Sequence, residues 1–222
     1  MLIPLTRKKF EELVPSVATG DQYKYCWGKP PDFLRRLLIS VVSVVVILLF
    51  SAILPEAFAI AEFMVAVIAG LYWLWSPVYL ASRQNAKVRK YEYAGILQAR
   101  VVDAFLTEEL IGKEETVNKL GDLVIVENRE RKLNLELEDE SGFLTQVQVP
   151  LQRSHRVIRP GDIAEMVVMS NRPDLSRIAK VSDVYLPDYG LWISDYPYLR
   201  RDAFAEVSRQ LNRRNQQRPF PS

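Results

Sequence analysis

Two long apolar runs, interrupted by a single Pro-Glu dipeptide at positions 55 and 56, constrain this chain more than any other feature. Leu37–Leu54 carries no charge, and its only polar residues are three serines; Ala57–Leu80 is charge-free after Glu62. Each run approaches the ~20 residues a helix needs to cross a hydrocarbon core, where helices and closed barrels alone satisfy every backbone group. Pro55 and Glu56 leave room for a tight turn. The expected element is a transmembrane helical hairpin of two helices over residues 34–82. A buried helical hairpin inside a soluble domain is the competing reading. A signal peptide fits poorly, because the apolar stretch starts too far into the chain and is too long for an h-region.

Flanking charge sets the expected orientation, since Lys and Arg are retained on the cytoplasmic face. Lys24, Lys29, Arg35 and Arg36 precede the first run, Arg83, Lys87, Arg89 and Lys90 follow the second, and the tip offers only Glu56 and Glu62. Both termini are therefore expected to be cytoplasmic, or stromal in a plastid. Trp73, Trp75 and Tyr79, together with Arg35 and Arg36, are the expected membrane-interface residues, because amphipathic rings and long cations favour the headgroup level.

Composition agrees with a split molecule: 49% of residues are hydrophobic and 25% charged, and the net charge is +2. The single cysteine, Cys26, cannot close an internal disulfide, which fits a reducing face of the membrane. Cys26 and the single histidine, His155, lie far apart and do not suggest a metal cluster or a Cys-His pair. No glycine loop cradles a phosphate, since Gly112 and Gly121 stand alone. Carboxylates outnumber Lys and Arg about two to one between Thr107 and Glu140, and a solvated acidic face accounts for them. No catalytic residue, metal or cofactor is expected.

Residues 1–33 form an N-terminal cytoplasmic segment. Phe10, Leu13, Val14 and Val17 make an amphipathic stripe behind a Thr6 N-cap, broken by Pro15. This short helix lies on the membrane surface, or it packs on the soluble domain; the sequence leaves both open.

From Tyr91 the pattern changes to alternation. Leu133, Leu135 and Leu137 alternate with Asn134, Glu136 and Glu138, Asp139-Glu140-Ser141-Gly142 supplies turn chemistry, and Phe143–Val149 returns. Roughly five or six short strands predict a small antiparallel β-barrel of OB or SH3-like type over residues 91–198. Residues 199–222 are expected to hold a basic C-terminal amphipathic helix, near Asp202–Asn212, and a disordered tail. The aromatic block Tyr185, Tyr189, Trp192, Tyr196 and Tyr198 either closes the barrel or forms a partner interface with Arg200, Arg201, Arg209, Arg213 and Arg214.

The strings Phe10–Trp27 (FEELVPSVATGDQYKYCW) and Ser182–Arg201 (SDVYLPDYGLWISDYPYLRR), with the two apolar runs between them, resemble a family of two-span thylakoid membrane proteins of cyanobacteria and plastids. The resemblance implies an accessory factor for photosystem assembly whose soluble part faces the cytoplasm or stroma. It carries no functional residue with it. The leading expectation is thus a non-enzymatic, membrane-anchored assembly or scaffold factor whose partners are a membrane protein complex, such as photosystem subunits, and membrane lipid. The alternatives are a modulator of a membrane protease or of lipid organisation, and an RNA-binding module. Nucleic acid is disfavoured, because the clearest hairpin carries Glu136, Glu138, Asp139 and Glu140 where a phosphate backbone needs cations.

Overall fold

A computed structural model describes residues 1–53, 55–117 and 123–216, without the side chains of residues 56, 114, 117, 124, 126 and 214–216. The chain runs β1 (Leu2–Leu5), α1 (Arg7–Leu13), α2 (Gly20–Trp27), α3 (Pro30–Ser51), α4 (Ala59–Gly70) and α5 (Tyr72–Arg89). It continues through β2 (Tyr93–Val117), β3 (Leu123–Glu138), β4 (Leu144–Pro150), β5 (Ile163–Ser170), β6 (Lys180–Leu186), β7 (Leu191–Ile193) and α6 (Arg201–Gln216). Two compact units result: Val14–Lys90 is helical, and Met1–Leu13 joins the chain from Tyr91 onward in the other. The N-terminal segment expected over residues 1–33 is therefore shared between them.

In the helical unit, Thr19 caps α2 through a reciprocal box with Gln22: Gln22 N donates to Thr19 Oγ1 at 3.4 Å, and Thr19 N donates to Gln22 Oε1 at 3.0 Å. The Asp32 carboxylate then caps α3 by accepting the Lys29 N–H at 2.9 Å. Between these helices Gly28 turns the chain at φ +71°, where a Cβ would stand 2.6 Å from Asp32 Oδ2.

α3 is long and apolar enough to cross a membrane, and Leu38, Val41, Val45, Leu48 and Leu49 are all exposed along it. The second apolar run corrects the expected two-helix hairpin, because it is not one helix. α4 and α5 are long and apolar enough to span only as a pair, and that pair is bent by 71°. At ~1.5 Å per residue, α4 by itself covers ~18 Å, well short of a ~30 Å hydrocarbon core.

The bend has its backbone groups served by side chains. Trp73 N donates to Ser40 Oγ at 3.1 Å, and Trp75 Nε1 donates to Ile68 O at 2.9 Å. A broken helix in apolar surroundings otherwise leaves such groups unsatisfied at a cost of several kcal/mol.

The other unit is a seven-stranded antiparallel sheet among the described residues, ordered β4-β3-β2-β5-β6-β7, with β1 on β2. β1 pairs Leu2 with Leu97 and Leu5 with Ala94, so segments that precede and follow the helical insertion in sequence build one sheet. Gly95 permits this packing: a Cβ there would meet Leu175 Cδ1 at 2.8 Å and Ile3 O at 3.0 Å.

One sheet face buries Leu97, Val101, Leu133, Leu135, Leu137, Met166, Val168, Val184, Leu186 and Ile193 in a single core. In the same unit, α1 buries Phe10 and Leu13, α6 buries Phe204, and the two helices touch. Arg200 N bonds Leu13 O at 2.8 Å. α1 therefore packs within the sheet unit, with Val17, the last member of the predicted stripe, exposed.

The sheet is open, which corrects the closed OB or SH3-like barrel. β4 and β7 end the strand order without pairing to each other, and β2 runs for 25 residues, far beyond a small barrel's stave. Alternation over residues 132–149 reports one buried face, a property that open and closed sheets share. The expected tail from residue 217 lies outside the described residues.

Candidate functional site

β2 and β3 continue past the rest of the sheet as a two-stranded arm. β5 leaves β2 at Arg100, and β4 leaves β3 at Lys132, with Leu151 N closing on Arg131 O at 2.9 Å. Beyond that point the register runs from Glu108 opposite Arg131 to Val117 opposite Leu123. Leu110, Ile111, Leu123 and Ile125 are exposed on the arm, as is Leu106 at its base. The acidic stretch flagged by composition is this ribbon, and its carboxylates are laddered with cations: Arg131 to Glu108 at 3.1 Å, Arg129 to Glu127 at 2.9 Å, Lys113 to Glu127 at 3.7 Å, and Lys132 to Glu109. Pairs of this kind are screened by solvent and contribute little to stability. A two-stranded ribbon is marginal by itself.

At the root of the arm lies a groove of about 400 Å³. Ala104, Leu106, Leu133, Leu151 and Ile158 supply its apolar lining, and Arg131, Arg153 and Arg156 its charge. The 3₁₀ turn Arg153–Val157 presents the last two arginines. His155 anchors that turn: its buried ring accepts the Gln152 N–H on Nδ1 at 3.2 Å, and burial holds its pKa below the ordinary histidine value. The sequence reading missed this groove, because Arg131 and the 153–158 segment meet only after β3 and β4 pair.

The aromatic block packs against α6 of its own unit. Tyr185 and Trp192 face each other at 4.6 Å between ring centres, and Phe204 closes on Trp192 at 5.6 Å. Arg201 stacks over Trp192 at 5.5 Å. Tyr196 is buried against Tyr198, whose hydroxyl receives Lys180 Nζ at 2.6 Å. Tyr189 is exposed, with its hydroxyl 3.3 Å from Asp162 Oδ1. Arg200, just before α6, and Arg209 and Arg213 on it are exposed, Arg200 beside Asp202 at 3.5 Å and Arg209 beside Glu206 at 2.8 Å. The Arg214 side chain lies outside the described residues.

Under this layer sits Asp183, 1% exposed, accepting the Tyr198 N–H at 2.7 Å. Its other oxygen has no hydrogen-bond partner among the described residues. Burial pushes the carboxyl up to about 7, against the opposing pull of the Tyr198 N–H and the Arg201 guanidinium. Nothing in the local pattern of β6 announces a buried carboxylate.

In the helical unit, Arg36 serves the backbone. It is buried and donates to Asp32 O at 3.2 Å, to Cys26 O at 2.9 Å and to Trp27 O, capping the carbonyl end of α2. Its guanidinium also lies 5.3 Å from the Trp27 ring centre. Trp73 packs edge-on against Trp27 and Phe33, Trp75 edge-on against Tyr79, and both Trp75 and Tyr79 are exposed.

A fully buried amide pair locks α2 to α5. Gln22 Nε2 donates to Asn85 Oδ1 at 3.1 Å, and Asn85 Nδ2 returns to Gln22 Oε1 at 2.8 Å. Arg35, by contrast, is exposed. It borders a cavity of about 320 Å³ lined with Cys26, Asp32, Arg36, Ile39, Tyr72 and Leu80. Burial raises the Cys26 thiol pKa, and Arg36 opposes that shift.

Fold and surfaces together define a sheet protein carrying a helical insertion, with one helix long and apolar enough to cross a membrane and a projecting β-arm. The chain belongs to the family of unknown function DUF8619, whose profile matches residues 3–216. No curated protein and no solved structure matches it.

Proposed function

We propose that this protein is a non-catalytic, membrane-anchored docking module that holds an extended, acidic and apolar segment of a partner membrane protein along the free edge of β3. One observation carries the reading. β3 runs on past the end of β4, and no strand among the described residues lies on that side of Leu123–Glu130. Beside this edge the groove adds apolar side chains and three arginines. Strand addition would supply main-chain hydrogen bonds, the apolar pockets side-chain specificity, and Arg131, Arg153 and Arg156 a preference for acidic residues.

The anchor is α3. The helical insertion that carries it leaves the sheet after β1 and returns to it at β2. Lys24 in α2, with Lys29 and Arg35 at the start of α3, favours the cytoplasmic or stromal side. Binding rather than catalysis is supported by the duties of the reactive side chains. His155 caps a turn, Asp183 holds Tyr198 N, and the Cys26 thiol is shifted away from its thiolate. The exposed arginines of α6 add a second cationic face for the same partner.

A thylakoid location and a photosystem-assembly partner belong to this proposal on the resemblance of Phe10–Trp27 and Ser182–Arg201. In the structure the first string spans the end of α1 and all of α2, and the second runs from β6 through β7 to the start of α6. The test is co-purification of the full-length tagged protein from native membranes in mild detergent. Arg153→Glu with Arg156→Glu should release the partner while the protein stays membrane-bound. Retention of the partner by that double variant would refute the groove as the docking site.

A further inference from the structure

The cavity beside Arg35 has the composition of a lipid headgroup site. It forms where α2, the first turns of α3 and the start of α5 converge, and three of its features point to one ligand chemistry. The first is charge: Arg35 and Arg36 contribute two positive charges and Asp32 one negative, leaving a surplus of one. Arg36 is engaged with three carbonyls and Asp32 with Lys29 N, whereas Arg35 has no hydrogen-bond or ion-pair partner among the described residues.

The second feature is the amphipathic lining. Ile39 and Leu80 are exposed apolar side chains on the same cavity as the Arg35 guanidinium and the Tyr72 phenol. The third is depth along α3. Arg35 and Arg36 are the last charges before the uncharged run begins at Leu37, so the cavity sits where polar helix gives way to apolar helix. Guanidinium matches a phosphate diester in a way that a point charge does not, through parallel N–H donors, and the apolar wall accepts the first methylenes of an acyl chain.

We infer that this cavity binds the phosphate of a membrane glycerophospholipid, with Arg35 and the Tyr72 hydroxyl as donors and Ile39 and Leu80 against the acyl chain. The inference rests on the membrane reading of α3. It assigns the helical unit a structural lipid, a role separate from partner capture by the sheet unit. A soluble phosphate monoester carries the same anion without the chain, and the experiment separates the two sources.

Cys26 lies in the cavity lining and is the only cysteine in the chain, so it provides a built-in probe. Full-length protein in uncharged detergent is alkylated with a maleimide at mildly alkaline pH, while phosphatidylglycerol, an uncharged diacyl lipid or glycerol phosphate is titrated in. Saturable protection of about five-fold or more by phosphatidylglycerol alone is the expected result. Arg35→Gln should abolish that protection. Tyr72→Phe, which keeps the ring against Trp75, should weaken it, with circular dichroism confirming that both variants retain their helices.

Equal protection by the uncharged lipid, or full protection in Arg35→Gln, would overturn the site. Arg35-dependent protection by glycerol phosphate would overturn the lipid in favour of a soluble anion. Release of the wild-type protein from native membranes at alkaline pH would overturn the membrane reading and the lipid site together. Retention there with no protection by phosphatidylglycerol would overturn the lipid site alone.

Discussion

Replacing Asp183 with Asn should change both the stability of the sheet unit and its response to pH. The carboxyl is buried in β6, one oxygen bonded to Tyr198 N at 2.7 Å, and its folded-state pKa is raised to about 7. An unfolded chain ionises the same group near ~3.9, so the difference is ~3 units, or about 4 kcal/mol at most. The folded state favours the neutral acid. Its stabilising contribution is complete below about pH 4, falls as pH rises, and is lost once pH passes the folded value near 7. Asn keeps an oxygen for Tyr198 N and cannot ionise, but its new N–H₂ lacks a partner and costs about 1–2 kcal/mol. Above pH 7 the variant should therefore gain about 2 kcal/mol over the wild type, and near pH 4 it should be slightly weaker.

The assay is hydrogen exchange of the 180–199 backbone in the full-length, detergent-solubilised protein between pH 4.5 and 8.5, corrected for intrinsic exchange rates. Wild-type opening free energies should fall with pH and those of Asp183→Asn should stay flat. A wild-type profile that rises with pH in this segment, or a variant with the same slope as the wild type, would refute the burial argument.

His155 should show the opposite sign in its own segment: its neutral form is favoured by burial and accepts the Gln152 N–H, so exchange protection over 152–158 should be lost as pH falls below the ordinary histidine range. Asn85→Leu should destabilise the helical unit by about 2–3 kcal/mol because the buried Gln22 amide loses both of its hydrogen bonds to Asn85, whereas the double change with Gln22→Leu should recover part of the loss in thermal melting. Val45→Lys puts a charge on the exposed face of α3 at about 2.5–3.5 kcal/mol in lipid, and should increase the fraction released by alkaline extraction. Gly95→Ala should cost about 1–3 kcal/mol in the sheet unit, read by thermal melting, since its Cβ overlaps Leu175 and the Ile3 carbonyl.

Local pattern alone determined several parts of this protein. The uncharged run from Leu37 marks α3, because a helix in lipid needs only continuous apolar side chains. Strict alternation from Leu133, with turn chemistry at Asp139–Gly142, marks the β3–β4 hairpin; there Asp139 Oδ1 accepts Ser141 N at 2.8 Å and Phe143 N at 3.0 Å. The spacing of Phe10 and Leu13 marks α1, and the basic amphipathic stretch near Asp202–Asn212 marks α6, because each period is set within one element. Tertiary structure decided the rest. Whether the sheet closes, where β1 pairs, and where the second apolar run bends depend on groups far apart in the chain. Ser40 serves Trp73 N, Arg36 caps α2, and Gln22 meets Asn85 across 63 positions. Arg131 joins Arg153 and Arg156 around one groove, and Asp183 is sealed by its own C-terminal segment. None of these pairings has a periodic signature, since a buried polar group is specified by the one partner that satisfies it, and that partner is chosen by the fold.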